Sequence, residues 1–297
     1  MRHLSLLCLA ALLFAVSIAA AEVYSVPATE KITPTQPPTA SWAKSGVSVQ
    51  CARNEWEAFQ IVFRSDRPTQ GLSIELSDLR GPGGAVLPAK LARVYRVQWV
   101  DINAPYETDK PSTNPNLQAD PLVPVKPGER FDAQAGQNLV FFIALNVPEA
   151  TKPGIFNGQI KIGAQSVPVR LQVRSFALPR EPLLQSMIGF SDGNIYKAHG
   201  CKTAEEKEQI IRLYFDEYIR ARLSPFLYFP GTVAFNPLPD GSMKWEFVKG
   251  PDGKPTGEVK LDFATFDREG QRYFNERQAF SAFNFAPYLW IKRDKKV

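Results

Sequence analysis

The chain has almost no histidine or cysteine. Its 297 residues contain two histidines and three cysteines. His3 and Cys8 lie in an N-terminal segment read below as a removable leader. That leaves His199, Cys51 and Cys201, too few and too scattered for zinc-ligand spacing. A nucleophile triad would have one histidine to draw on, which argues against that chemistry. Neither a metal nor an organic cofactor is expected. Export would permit a disulfide, but Cys51 and Cys201 fall in different predicted domains, and each is read as a small apolar residue. The chain also lacks blocks of like charge. Its 35 basic and 30 acidic residues are interspersed, a solvated surface and not a nucleic-acid footprint. Past the N-terminus, no apolar run is long enough to cross a bilayer.

The N-terminus itself has the form of a secretory signal. Arg2 and His3 precede an apolar run over residues 4–18, and Ala19, Ala20 and Ala21 fit the small-residue cleavage rule. The reading assigns residues 1–21 to a signal peptide, Glu22 to the mature start, and the protein to the periplasm or the exterior. A membrane anchor is the competing reading, but the run is short for a span and no basic stop-transfer sequence follows. No membrane span is expected after cleavage.

Residues 22–41 are rich in proline and threonine and read as a lead-in. From Val47 to Phe176 the texture is β. Phe59, Ile61 and Phe63 alternate with Gln60, Val62 and Arg64; Leu72, Ile74 and Leu76 alternate with polar neighbours. Residues 91–102 and the nearly all-apolar 139–147 make longer strands. Residues 155–162 and 167–176 follow, separated by turn signals such as Lys152-Pro153-Gly154. Many short strands without a helix predict an antiparallel β-sandwich over residues 22–180. One connection, residues 103–138, carries six prolines and no strand period. Tyr106, Leu117, Leu122, Val123 and Val125 favour a packed loop over a floppy insertion.

Beyond Leu178-Pro179-Arg180-Glu181-Pro182 the texture changes. Residues 186–190 form a short apolar strand, followed by a loop with Asp192, Asn194 and His199. Thr203 and Glu206 make a capping box for a helix to about Arg222, with Ile211, Tyr214, Phe215, Tyr218 and Ile219 on its apolar face. A second strand (226–229), a hairpin around residues 244–248, a helix from Phe266 to about Ala279 and a third strand (282–286) complete the series. This order is that of a parallel α/β domain. Residues 181–297 are therefore read as the first three strands of an incomplete (β/α)8 barrel, which needs eight. The fold class is a multidomain β plus α/β protein.

Three segments carry a family likeness: Ala52-Arg53-Asn54-Glu55-Trp56-Glu57-Ala58-Phe59-Gln60, Asp120-Pro121-Leu122-Val123-Pro124, and Val147 through Gly158. With Asp262 to Asp267, they resemble secreted proteins of glycoside hydrolase family 123. The resemblance covers most of the mature chain and implies an N-terminal sandwich joined to a catalytic barrel. It further implies release of β-linked N-acetylgalactosamine by a substrate-assisted route, a recognised exception to the two-carboxylate scheme. The family's adjacent Asp-Glu pair belongs to a later barrel strand, so the catalytic residues are expected beyond Val297 and this chain alone is expected to be inactive. The Asp216-Glu217 dipeptide is a decoy: it lies mid-helix, opposite the apolar face, four residues from Arg212 and Arg220. Asp192 after the first strand and Tyr228 at the end of the second are the candidate substrate-binding residues, for a glycan substrate or ligand. The alternative is a non-catalytic carbohydrate-binding or interaction module with the sandwich as its working part.

Overall fold

The computed structural model describes residues 21–103, 116–189, 191–225 and 245–281. The chain divides into two compact units between Leu178 and Pro179. The first contains β1 (Glu22–Pro27), β2 (Val47–Arg53), β3 (Glu55–Arg64), β4 (Thr69–Leu72), β5 (Ile74–Leu76), β6 (Leu79–Arg80), β7 (Val86–Leu87), β8 (Ala92–Asp101), β9 (Leu117–Pro124), β10 (Phe131–Ala133), β11 (Asn138–Val147), β12 (Gly154–Ile162) and β13 (Gln165–Ala177). The second contains α1 (Asp192–His199), α2 (Ala204–Arg220), β14 (Trp245–Lys249), β15 (Pro255–Leu261) and α3 (Ala264–Gly270), which continues as a π-helical turn, Gln271–Glu276.

Two main sheets and a small antiparallel pair, β4 with β10, form the first unit. One has the order β1-β3-β11-β8-β9; the other has β2-β13-β12-β6-β7, with β5 also on β12. Alternation explains the core between them. Phe59, Ile61 and Phe63 from β3 and Phe141, Ile143 and Leu145 from β11 join Phe156, Ile160, Leu171 and Val173 of the opposing sheet in one buried cluster. The expectation of a purely antiparallel sandwich needs one correction: β2 and β13 pair in parallel, Val47 opposite Val169 through Cys51 opposite Val173. β2 ends at a corner. The chain leaves one sheet and enters the other across the single residue Asn54, whose φ is +56°.

That corner is the Ala52–Gln60 motif. Ala52 N–H donates to Glu55 Oε2 at 2.5 Å, and Asn54 Nδ2 donates to the Leu178 carbonyl at 2.9 Å. Leu178 N–H returns to the Arg53 carbonyl at 2.9 Å. The motif therefore ties the sheet corner to the last residue of the first unit. Asparagine tolerates left-handed backbone better than other non-glycine residues. Asn54→Ala is expected to cost about 2 kcal/mol, from the backbone conformation and the lost bond together. Asn54→Gly, which relieves the backbone and loses only the bond, is expected to cost about half of that. Urea midpoints test this; an Asn54→Ala chain as stable as the parent would refute it.

The lead-in is more structured than its composition suggests. Residues 22–27 form edge strand β1 against β3, and residues 28–46 cover the outer face of the first sheet. Ile32 and Trp42 pack there with Tyr24, Val62, Val97 and Val140. Buried amides fasten this cover. Gln60 Nε2 donates to the Pro27 and Glu30 carbonyls, both at 2.8 Å, and Asn138 Nδ2 to the Thr33 and Gln36 carbonyls at 3.0 and 2.9 Å. Burial alone would raise the Glu30 pKa, but hydrogen bonds from Ser41, Trp42 and Gln36 outweigh it and hold the carboxyl below its usual range. Covering both faces of this sheet explains why β11 is apolar along nearly its whole length.

The proline-rich connection was expected to lack strands. Instead it contains β9 and β10. β9 is an edge strand, where proline's missing N–H costs no ladder bond. Val125 packs against the main core, whereas Leu117 and Leu122 remain exposed; Tyr106 lies outside the described residues. Between Val97–Leu122 and Trp99–Ala119 the register shifts, so Asp120 and Pro121 stand opposite Gln98 alone. The Asp120–Pro124 motif is thus a β-bulge. The third motif also serves packing: a Cβ at Gly158 would lie 2.4 Å from Leu79 Cδ2 and 3.0 Å from the Asp78 carbonyl oxygen. Cys51 and Cys201 are both free thiols. Burial pushes the Cys51 thiol up to about 12, which makes it an unreactive core residue.

Candidate functional site

In the second unit, three segments meet around Ser224, which is fully buried. Ile188 and Pro225 form a parallel bridge, with Ile188 N–H donating to the Ser224 carbonyl at 2.9 Å. Ser224 N–H donates to Ser186 Oγ at 2.9 Å, and Ser281 N–H donates to Ser224 Oγ at 3.1 Å. These residues lie within or directly before the three segments expected to be strands. Only the Ile188 bridge of the first strand is seen; residues 226–229 and 282–286 lie outside the described residues. Tyr218 of α2 reaches back across this group, its hydroxyl donating to the Ile188 carbonyl at 3.3 Å.

The sequence expected a loop around Asp192. The structure places Asp192 in the first turn of α1, with Ser191 as its cap: Ser191 Oγ accepts from Asn194 N–H at 3.3 Å. Asp192 is exposed and its Oδ1 accepts from Gly193 N–H at 2.7 Å. Tyr196 follows one turn later, and burial together with the Asp192 charge pushes its phenol up to about 12. Tyr196 is a neighbour of Asp192 that sequence reasoning missed; the i, i+4 spacing was its signal, hidden because the segment was read as loop. His199 Nε2 lies 3.2 Å from Tyr214 Oη and joins α1 to α2. Tyr228 lies outside the described residues.

The capping box at α2 is present as expected. Glu206 N–H donates to Thr203 Oγ1 at 3.2 Å, and Thr203 N–H to Glu206 Oε2 at 3.0 Å. Ile211 and Phe215 pack on Ile195, Tyr273 and Phe280. The Asp216-Glu217 pair lies on the helix surface, each engaged by an arginine. One detail differs: Asp216 pairs with Arg277 at 2.7 Å, while Arg220 turns to Glu217 at 2.5 Å. Arg212 is drawn instead to Glu208 and to the buried Glu269. Among the described residues, no group of three His, Cys, Asp or Glu side chains could hold a metal ion. No helix among them is long and apolar enough to cross a membrane.

A mixed, mostly antiparallel sandwich followed by a unit with helices defines a class of architecture, and comparison narrows it. Residues 33–164 match the family described as the glycoside hydrolase 123 N-terminal domain. The chain is glycoside-hydrolase-like in this sense, similar to family 123 proteins. A solved structure, the family 123 glycoside hydrolase from Clostridium perfringens determined for the details of glycolipid glycan hydrolysis, aligns with a TM-score of 0.50 at 13% identity. The alignment covers 74% of this chain and 39% of that one. The share of this chain is more than its first unit supplies, so the likeness of fold runs into the second. Two further matches are slighter. A mutant β-glucosidase from Listeria innocua in complex with laminaribiose has TM-score 0.24 and 10% identity, over 54% of this chain and 17% of that one. Domains 4 and 5 of the S-layer protein SbsC have TM-score 0.21 and 12% identity, over 43% and 48%. No curated protein matches the chain.

Proposed function

We propose that this chain is the N-terminal sandwich and the opening of the catalytic barrel of an exported glycoside hydrolase that removes β-linked N-acetylgalactosamine from glycans. The observation that carries this reading is the family 123 match over residues 33–164. The parallel contact of Ile188 with Pro225, and the joining of Ser186, Ser224 and Ser281, support the barrel. They gather the starts of three expected strands, as a parallel barrel requires. The basic, apolar and small-residue order of the N-terminus supports export.

In the reaction that family 123 implies, the substrate's acetamido oxygen attacks the anomeric carbon. An aspartate orients that group and an adjacent glutamate protonates the departing glycosidic oxygen. The barrel part of this chain offers one Asp-Glu dipeptide, and Asp216-Glu217 is held on a helix surface by arginines. The pair belongs to a strand outside these residues. Asp192, at the C-terminal side of the first strand, and Tyr228, at the end of the second, would contact the bound sugar on the barrel's active face. Assays with aryl N-acetyl-β-galactosaminide, N-acetyl-β-glucosaminide and β-galactoside test the proposal. The 297-residue chain is expected to turn over none of them. The polypeptide that includes the later strands is expected to hydrolyse the first and to release the sugar with retained configuration. Failure of that longer polypeptide on all three, or release with inversion, would contradict the assignment.

A further inference from the structure

The hairpin of the second unit presents an open edge. Among the described residues, β14 and β15 pair only with each other. All seven residues of β15 are exposed. Phe247 and Val259 are cross-strand partners, and Leu261 shares the face of Val259; they are 49%, 41% and 38% exposed. A lone two-stranded hairpin is marginal in water, and further strands or a covered apolar face are what steady it.

The ladder fixes which backbone groups face outward. From Lys249 opposite Pro255 to Phe247 opposite Val259, β14 advances two residues and β15 four, so the bulge belongs to β15 and β14 alternates without a break. Gly250 N–H donates to the Lys254 carbonyl at 2.9 Å, and the Val248 carbonyl accepts from Thr256 Oγ1 at 3.1 Å. The backbone groups of residues 246, 248 and 250 therefore turn toward β15, and those of Phe247 away. Directly opposed residues of an antiparallel ladder share this orientation. Val259 thus directs its N–H and C=O out of the hairpin, while Lys260, opposite Glu246, directs its own inward. Side chains alternate as well, with Val259 and Leu261 on one face and Glu258 and Lys260 on the other. Lys260 Nζ lies 3.2 Å from Glu246 Oε1.

We propose that β15 pairs antiparallel with β15 of a second copy of this chain, about a two-fold axis at Val259. The two Val259 residues would exchange N–H···O=C bonds across the axis, and Glu258 of each copy would lie opposite Lys260 of the other. Those flanking positions are the non-hydrogen-bonded ones, where side chains approach more closely. Each Lys260 would then stand between Glu246 of its own hairpin and Glu258 of the other copy. On the opposite face, Phe247 and Val259 of the two copies would form one apolar row. Parallel pairing in register would set Glu258 against Glu258 and Lys260 against Lys260, so charge selects the antiparallel form. A lysine on an edge strand ordinarily discourages pairing; with Glu258 beside it in the sequence pattern, an antiparallel copy meets it with a partner. Pro255, which has no N–H, and Gly257, at φ +89°, end the regular part of the strand. The ladder is therefore short and the association weak, with an expected Kd of roughly 10–100 µM.

Sedimentation velocity of the 297-residue chain, over concentrations spanning that Kd, tests the proposal. The parent is expected to pass from monomer to dimer. Glu258→Lys and Lys260→Glu are each expected to weaken dimerisation about tenfold, because like charges then face each other on both sides of the axis. An equimolar mixture of the two variants is expected to dimerise as the parent does, since every acidic position in the mixed pair again faces a basic one. Glu258→Lys leaves the Lys260–Glu246 pair intact, so it decides the matter even if Lys260→Glu disturbs the hairpin. A parent that stays monomeric, a dimer that Glu258→Lys leaves unchanged, or two folded variants whose mixture dimerises no better than either alone would each overturn the proposal.

Discussion

Replacing Arg212 with alanine is expected to destabilise the second unit by about 3–5 kcal/mol, the range found when one partner of a buried ion pair is removed. Glu269 has only 1% of its side chain exposed. It accepts from Arg212 Nη1 at 2.7 Å and Nη2 at 2.9 Å, and Arg268 Nε approaches at 3.3 Å. Without Arg212 a carboxylate would remain buried with one poorer partner. Replacing both residues with leucine removes the charge together with its partner and is expected to recover much of the loss. The pair also sets a pH dependence. Burial raises the Glu269 pKa, but the hydrogen bond and charge of Arg212 outweigh it, so the folded value lies below the ordinary one. The stabilisation is thus present above the ordinary glutamate range and fades as pH falls through the lower, folded value. Hydrogen exchange of α2 amides measured against pH reads both effects. An Arg212→Ala chain with unchanged α2 protection, or a parent chain whose α2 protection rises on acidification, would contradict this account.

Phe141→Ala is expected to cost about 3–5 kcal/mol in the sandwich. Phe141 is fully buried at the middle of β11, opposite Ile61 on one side and Arg96 on the other. Its ring meets Phe131 edge-on with centroids 5.0 Å apart. Truncation would remove apolar area from the centre of the inter-sheet core and leave a cavity between rigid strands, which relax little. Phe141→Leu fills most of that space and is expected to cost about 1–1.5 kcal/mol. Since a domain's whole stability is about 5–15 kcal/mol, the alanine variant would approach global unfolding while the leucine variant stays folded. Urea transitions followed by near-ultraviolet circular dichroism distinguish them. Equal midpoints for the two variants would show that Phe141 is not the packing centre described.

The sandwich was legible where one physical signal dominates. The period-two pattern of Phe59, Ile61 and Phe63 and the turn at Pro153-Gly154 each correspond to an observed strand or turn. Misreadings occurred where two signals compete. In β9, Pro121 and Pro124 suppress the strand reading, yet an edge position and a bulge make them harmless. In residues 28–46 the apolar positions lack any period, because the segment covers a sheet instead of joining it; Ile32 and Trp42 are buried all the same. The parallel pairing of β2 with β13 joins segments more than a hundred residues apart, and the left-handed conformation of Asn54 belongs to a single residue; no periodicity reveals either.

The site was less legible than the fold. Reading Asp192 as a loop residue concealed that Ser191 starts a helix, and with it the i, i+4 relation to Tyr196. The Asp120–Pro124 segment was recognised as a family likeness; its physical effect, a bulge opposite Gln98, is a property of register.

The most direct test of the central claim is to read the coding sequence past the codon for Val297 in all three frames. The account predicts further strand–helix units, with an adjacent Asp-Glu pair at the C-terminal end of a later strand. Absence of any such units would contradict it.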